Sequence, residues 1–79
     1  MWSKSLMEKT IEMFKTMDAY GAYFKSFSGE YGQLVPRDEG FEITILKETK
    51  NNKYTPELSD KKYYFKNIKE IIEAGWVID

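Results

Sequence analysis

The 79-residue sequence contains no cysteine and no histidine, and its only arginine is Arg37. Without cysteine, disulfide bonds and thiolate chemistry are excluded. Without either cysteine or histidine, the usual structural and catalytic zinc sites cannot form. We therefore expect a protein that works without a metal or another cofactor, in a compartment that does not depend on disulfides.

Long apolar runs are also missing. No segment approaches the roughly 20 apolar residues that a membrane-spanning helix needs. The first ten residues carry charges where a secretory signal would be apolar, so a cytoplasmic location is expected. A chain of this length buries only about 60% of the surface that its unfolded form exposes, which predicts a single domain, residues 1–79, with a small core.

Charge of one sign does not dominate the sequence. Twelve basic and 13 acidic residues leave a net charge of −1. This balance argues against a disordered tail, a strongly basic nucleic-acid binder and an acidic DNA mimic. The basic residues are almost all lysine, and isoleucine and tyrosine are frequent, which is typical of proteins encoded by AT-rich genomes such as those of low-GC bacteria and their phages.

Capping signals predict one helix near each end. Ser5 and Glu8 have the spacing of a capping box, and apolar residues then recur at helical spacing, so the first helix is expected over residues 5–19. Asn67 and Glu70 repeat that spacing at the start of a short C-terminal helix. After it, "GW" at 75–76 is typical of a left-handed glycine followed by an apolar contact back onto the helix.

Between the helices, the sequence favours antiparallel strands. Residues 41–48 alternate, with Phe41, Ile43 and Ile45 expected on one face and Glu42, Thr44 and Leu46 on the other. A turn at 36–40 precedes this strand. Residues 54–60 are expected to hold a short edge strand, because Pro56 lacks an N–H donor, and 61–66 the last strand. Residues 21–28 fit a helix or a strand, and their aromatic content slightly favours the strand.

The predicted fold class is therefore α+β. We expect an N-terminal helix, a small antiparallel sheet of three to four strands and a short C-terminal helix, arranged as two layers.

Catalysis is not expected. The densest carboxylate group is Asp38, Glu39 and Glu42. Paired carboxylates can perform acid–base chemistry when burial drives their pKa values apart. Here two are expected in a turn and one on the outward face of a strand, where water would surround all three.

A lysine–aromatic segment suggests nucleic-acid binding as an alternative. Residues 30–49 carry a balance of −3, whereas residues 50–69 carry +4. Lysine beside aromatic rings is typical of single-strand binding, because phosphates contact the lysines and bases stack on the rings. Lysine-rich edge strands also occur simply because they discourage aggregation. The residues proposed for this strip are Lys61, Lys62, Tyr64 and Lys66.

Thirteen aromatic residues are more than a small core needs, which favours a protein-binding function. We predict a small non-enzymatic protein that docks on a host protein, such as a nucleic-acid-processing enzyme. This is the behaviour of phage or mobile-element inhibitors of the anti-defence, anti-CRISPR or host-takeover type. The residues predicted to contact the partner are Tyr31, Asp38, Glu39, Glu42 and Tyr64. A self-associating subunit that pairs through a sheet edge is a third hypothesis.

Overall fold

The computed structural model describes residues 2–48 and 54–79. Its elements are, in chain order, α1 (Lys4–Lys15), β1 (Tyr23–Ser26), β2 (Tyr31–Arg37), β3 (Gly40–Glu48), β4 (Tyr54–Phe65), α2 (Ile68–Glu73) and β5 (Trp76–Ile78). The α+β class, with an N-terminal helix, an antiparallel sheet and a second helix, is confirmed. The sheet has five strands, however, and not the three to four predicted. No helix within the described ranges is long and apolar enough to cross a membrane.

The five strands lie in the order β4-β3-β2-β1-β5, and each neighbouring pair is antiparallel. One side of this sheet, the core face, packs against both helices. Phe24, Leu34 and Ile43 are fully buried there, in one cluster with Phe14 of α1 and Ile71 of α2. The opposite side is called the outer face below.

The first helix begins earlier and ends earlier than predicted. Its N-cap is Ser3, whose Oγ accepts a hydrogen bond from the Leu6 N–H at 3.2 Å, while Ser5 lies exposed within the first turn. The helix ends at Lys15 because Met17 adopts a left-handed conformation, with φ at 65°. The chain then turns back, which places Ala19 fully inside the core.

The ambiguous segment at residues 21–28 contains a strand, which confirms the favoured alternative. Tyr23–Ser26 forms β1, and its side chains alternate between the two faces. Phe24 is fully buried on the core face, whereas Tyr23 is exposed on the outer face. A tight turn then leads into β2.

The prediction of two separate strands at 54–60 and 61–66 was wrong. Residues 54–65 form one strand, β4, whose pairing with β3 extends from Phe41 to Glu48. Register shifts between Thr44 and Leu46, and again between Leu46 and Glu48, accommodate the extra residues of β4. Such bulges let a strand with irregular spacing remain paired with its neighbour.

The C-terminal helix has the predicted caps. The Glu70 N–H donates to Asn67 Oδ1 at 2.9 Å, and Gly75 adopts a left-handed φ of 93°. Trp76, however, begins a strand that the sequence analysis did not predict. In β5 it pairs with Ser26 of β1 and is buried in the core, so it does more than contact α2.

The two edges of the sheet differ. At the β5 edge, α1 supplies a hydrogen-bond partner, because Thr10 Oγ1 accepts from the Ile78 N–H at 3.0 Å. Nearby, Trp2 Nε1 donates to the Gly75 carbonyl oxygen at 2.7 Å. At the other edge, β4 pairs with β3 alone among the described strands.

Candidate functional site

The outer face is a candidate site because it carries exposed aromatic side chains and lies opposite the face that packs against the helices, although at its β5 end Val77, opposite Lys25, is fully buried. The registers place Val35, Glu42 and Tyr64 in one row across β2, β3 and β4. The next row is formed by Tyr23, Gln33, Thr44 and Lys62. Tyr64 is 69% exposed and Tyr23 is 44% exposed, so this face presents large aromatic side chains to solvent.

Glu42 is the most buried charged residue of the outer face, and it is held by two neighbours. The Arg37 guanidinium donates to both carboxylate oxygens, through Nε at 3.2 Å and through Nη2 at 3.0 and 3.1 Å. Thr44 Oγ1 donates to the same carboxylate at 2.8 Å. Glu42 is only 2% exposed, so the prediction that water surrounds it was wrong. Arg37 reaches it because the turn between β2 and β3 brings the two strands back alongside each other.

These contacts also set the protonation of Glu42. Burial by itself raises the pKa of its carboxyl group, because it disfavours the charged form. The hydrogen bonds from Thr44 and Arg37, with the positive charges of Arg37 and Lys62, outweigh burial and hold the pKa below its ordinary value. Glu42 is therefore an ionised carboxylate whose charge is balanced by Arg37 and whose position is held by hydrogen bonds. These properties suit a structural role better than proton transfer at neutral pH.

The turn between β2 and β3 carries the two remaining acids of the predicted site. Asp38 and Glu39 are both exposed at its tip. Gly40 follows with a φ of 142°, and any larger side chain there would collide with the Phe65 carbonyl oxygen of β4. This close approach holds the turn against the end of β4.

A groove of about 380 Å³ lies beside that turn. Its lining includes Arg37 and Glu39 on one side and Tyr64 and Lys66 on the other. The fold thus brings Asp38, Glu39, Glu42 and Tyr64 to one end of the sheet. The fifth predicted protein-binding residue, Tyr31, starts β2 and lies toward its opposite end.

The predicted lysine strip is divided between the two faces. Lys62 and Tyr64 lie on the outer face, and Lys66 follows the end of β4 beside the groove. Lys61 points to the other side, where its Nζ donates to Glu30 Oε2 at 3.0 Å. The structure therefore does not place the four strip residues on one continuous surface.

Lys61 belongs to a separate polar cluster with Glu30 and Tyr63. Its Nζ lies 5.3 Å from the centre of the Tyr63 ring, and the Tyr63 hydroxyl donates to Glu30 Oε1 at 3.0 Å. The hydrogen bond with Tyr63, and then the one with Glu30, raise the pKa of Lys61. The cluster ties β4 to the turn between β1 and β2.

Sequence reasoning missed two contributors to the outer face. Arg37 was noted only as the single arginine, although a two-residue turn places it opposite Gly40 and close to Glu42. Tyr23 lies in the segment 21–28, for which helix and strand were both considered, so the sequence did not predict which way its side chain points. The alternation of residues 31–37 would have identified β2 and assigned Val35 and Arg37 to the same face.

Comparison with known proteins gave no relative from which a function could be transferred. No protein-family model, curated protein or solved structure matches this chain significantly.

Proposed function

We propose that this chain is a small, non-enzymatic, cytoplasmic protein that binds another protein through its outer face. The observation that carries the proposal is the exposure of Tyr23 and Tyr64 on the outer face, the side of the sheet opposite the helix-packed core. Tyrosine is enriched in interface hot spots because it supplies a large, rigid contact area with a polar end. Exposed apolar surface with a polar surround is typical of a docking site.

The buried carboxylate strengthens this assignment. Arg37 and Glu42 neutralise each other, so a partner can cover them without leaving an unpaired charge in the interface. Their positions are fixed before binding, which lowers the ordering cost of association. The outer face thus combines pre-arranged polar groups with aromatic side chains around them.

A phage or mobile-element inhibitor that occludes a host nucleic-acid-processing enzyme is the specific form of this proposal. Asp38 and Glu39 are exposed at the tip of the turn, beside the groove, where they can contact basic residues that normally hold phosphates. Glu42 is already neutralised by Arg37. The phosphate-like role therefore falls to the two turn residues.

Nucleic-acid binding remains the second candidate, because aromatic side chains on an open sheet can stack on bases. Lys62 and Tyr64 are exposed on the outer face and support it. Two other cations are already engaged, Lys61 by Glu30 and Arg37 by Glu42. These ion pairs leave less positive charge for phosphates, and for that reason protein binding is preferred.

Affinity capture from a low-GC bacterial lysate, with and without nuclease, tests the proposal. Three baits are compared: the wild-type protein, a Tyr23→Ser/Tyr64→Ser variant and an Ile11→Ser control. Ile11 is 37% exposed on α1, so the control removes apolar surface away from the outer face. We expect one specific protein to be retained by the wild type and the control in both lanes, and lost from the double variant.

Two results would contradict the proposal. If the double variant retains the same protein as the wild type, the outer face is not the binding surface. If the bound material disappears with nuclease, nucleic-acid binding takes precedence. Its affinity should then fall with salt, with a log–log slope of about −0.7 per phosphate contacted on a single strand.

A further inference from the structure

The groove beside the β2–β3 turn has an aromatic lining that the core holds in place. Phe41 and Phe65 line the groove, and both are half-buried and packed against the core cluster. The Phe41 ring centre lies 5.2 Å from that of the buried Phe14, and 6.1 Å from that of Tyr20, which is 38% exposed. These rings therefore present apolar surface that does not have to be ordered when a side chain binds.

The two sides of the groove are also fixed to each other. Gly40, in the turn, lies so close to the Phe65 carbonyl oxygen that no larger side chain fits there. At the other side, the Lys66 N–H donates to Glu70 Oε1 at 2.8 Å, which joins the end of β4 to α2. The volume of about 380 Å³ is at the lower end of the range of natural ligand pockets, about 300–1,000 Å³.

The charges around the groove are predominantly negative. Arg37 and Glu42 form an ion pair at 3.0 Å and balance each other. The remaining charged residues that line or adjoin the groove are three acids and one lysine: Asp38, Glu39, Glu70 and Lys66. They leave two net negative charges. Such a surface attracts a cationic partner segment and disfavours an acidic one.

We propose that the groove binds a segment of a partner protein in which one apolar side chain is flanked by lysine or arginine. The apolar side chain contacts Phe41 and Phe65, and the flanking cations pair with Asp38 and Glu39. This inference rests on the proposed protein-binding function and specifies the chemistry of the partner segment. It gives the exposed acids of the turn and the apolar groove beside them one shared ligand.

Amide NMR spectra of the purified, isotope-labelled protein test the groove with three blocked tripeptides: Arg-Leu-Arg, Arg-Gly-Arg and Asp-Leu-Asp. We expect Arg-Leu-Arg to shift the amide signals of Phe41, Phe65 and Lys66 in a saturable way, with a dissociation constant on the order of 1 mM. The other two peptides should bind at least about tenfold more weakly, because one lacks the apolar side chain and the other carries the repelled charge.

Charge reversal of the turn supplies the matched variant. Asp38→Lys/Glu39→Lys should raise the dissociation constant of Arg-Leu-Arg about tenfold, because two exposed ion pairs become repulsive contacts. Glu8→Lys/Glu12→Lys makes the same change in net charge at exposed positions of α1. This control should leave the dissociation constant within about twofold of the wild-type value, since it lies on α1 and not beside the groove.

Three results would overturn the inference. Arg-Gly-Arg binding as tightly as Arg-Leu-Arg would show that the apolar lining contributes nothing. Tighter binding of Asp-Leu-Asp would show that the groove selects anions. Equal losses of affinity in the two charge-reversal variants, or shifts that do not include the groove amides, would show that the peptide binds by net charge alone.

The captured partner separates failure of this inference from failure of the proposed function. Tyr23 does not line the groove, so Tyr23→Ser tests the outer face without altering it. If Tyr23→Ser loses the partner while Asp38→Lys/Glu39→Lys retains it, the protein-binding function stands and the groove assignment is wrong. If both variants lose the partner and the peptide results are as expected, both proposals are supported.

Discussion

The two faces of β3 are almost equally shielded from water, but for different reasons. On the core face, Ile43 is fully buried in the cluster that includes residues of both helices. On the outer face, Glu42 is 2% exposed although neither helix lies over it. Arg37 and Thr44 cover it with hydrogen bonds. Burial on the core face thus removes apolar surface from water. Burial of Glu42 on the outer face instead depends on its hydrogen bonds with Arg37 and Thr44.

Ile43→Ala, on the core face, should cause the largest loss in the free energy of unfolding. Removal of a fully buried aliphatic side chain costs about 2–5 kcal/mol, from lost transfer free energy and from the cavity left behind. Denaturant unfolding followed by circular dichroism measures this loss. Ile11→Ala, at a partly exposed position, is the control and should cost much less. Equal losses for the two variants would show that the core face does not dominate stability.

On the outer face, Glu42→Gln should lower the free energy of unfolding by about 1–3 kcal/mol at neutral pH. The substitution keeps the shape of the side chain but replaces the carboxylate with a neutral amide, which accepts at only one oxygen and leaves the charge of Arg37 without its counter-charge. The same denaturation experiment measures it. Glu39→Gln, in the exposed turn, should change stability by less than about 0.5 kcal/mol. If the two variants are equally stable, the Arg37–Glu42 pair contributes nothing.

The pH dependence of stability tests whether the ionised form of Glu42 stabilises the fold. The pKa of Glu42 is held below its ordinary value of 4.5, so its ionised form stabilises the fold. This contribution is fully present above the unfolded-state value and is lost as the pH falls through the lower folded-state pKa. The wild type should therefore lose stability faster than Glu42→Gln on acidification below about pH 4.5. Parallel acid unfolding profiles would contradict this assignment.

The smallest expected effect comes from Tyr64→Ser. Tyr64 is exposed on the outer face, so its loss should alter the free energy of unfolding by less than about 0.5 kcal/mol. Its neighbour Tyr63 points to the opposite side, is half-buried and donates to Glu30, so Tyr63→Ser should be clearly more destabilising. Thermal unfolding of the two variants makes the comparison. The reverse order would show that the two faces of β4 are assigned wrongly.

Local sequence signals predicted the parts of the fold that depend on neighbouring residues. The caps at Asn67 and Gly75 and the alternation of β3 follow from side-chain and backbone preferences over a few residues. The strand β5 could not be predicted in this way. Its three residues are all buried, so they show no alternation, and pairing with β1 alone makes them a strand.

The candidate site was predicted less completely than the fold. The position of Glu42 on the outward side of β3 was correct, but its burial depends on Arg37, which belongs to another strand. Likewise, Lys61 and Lys62 are adjacent in sequence and equal in charge. Their opposite directions follow from the strand alternation, and the ion pair of Lys61 depends on a turn some 30 residues away.

The sequence by itself determined the absence of thiol and imidazole chemistry, the balanced charge and the α+β class, because these depend on composition and on local periodicity. Tertiary structure alone decided which strand lies at each edge, which face remains open and which carboxylate is neutralised. The physical reason is that strand pairing joins residues far apart in the chain. Alternation along one strand predicts which side chains share a face, but it does not predict which other strand lies alongside.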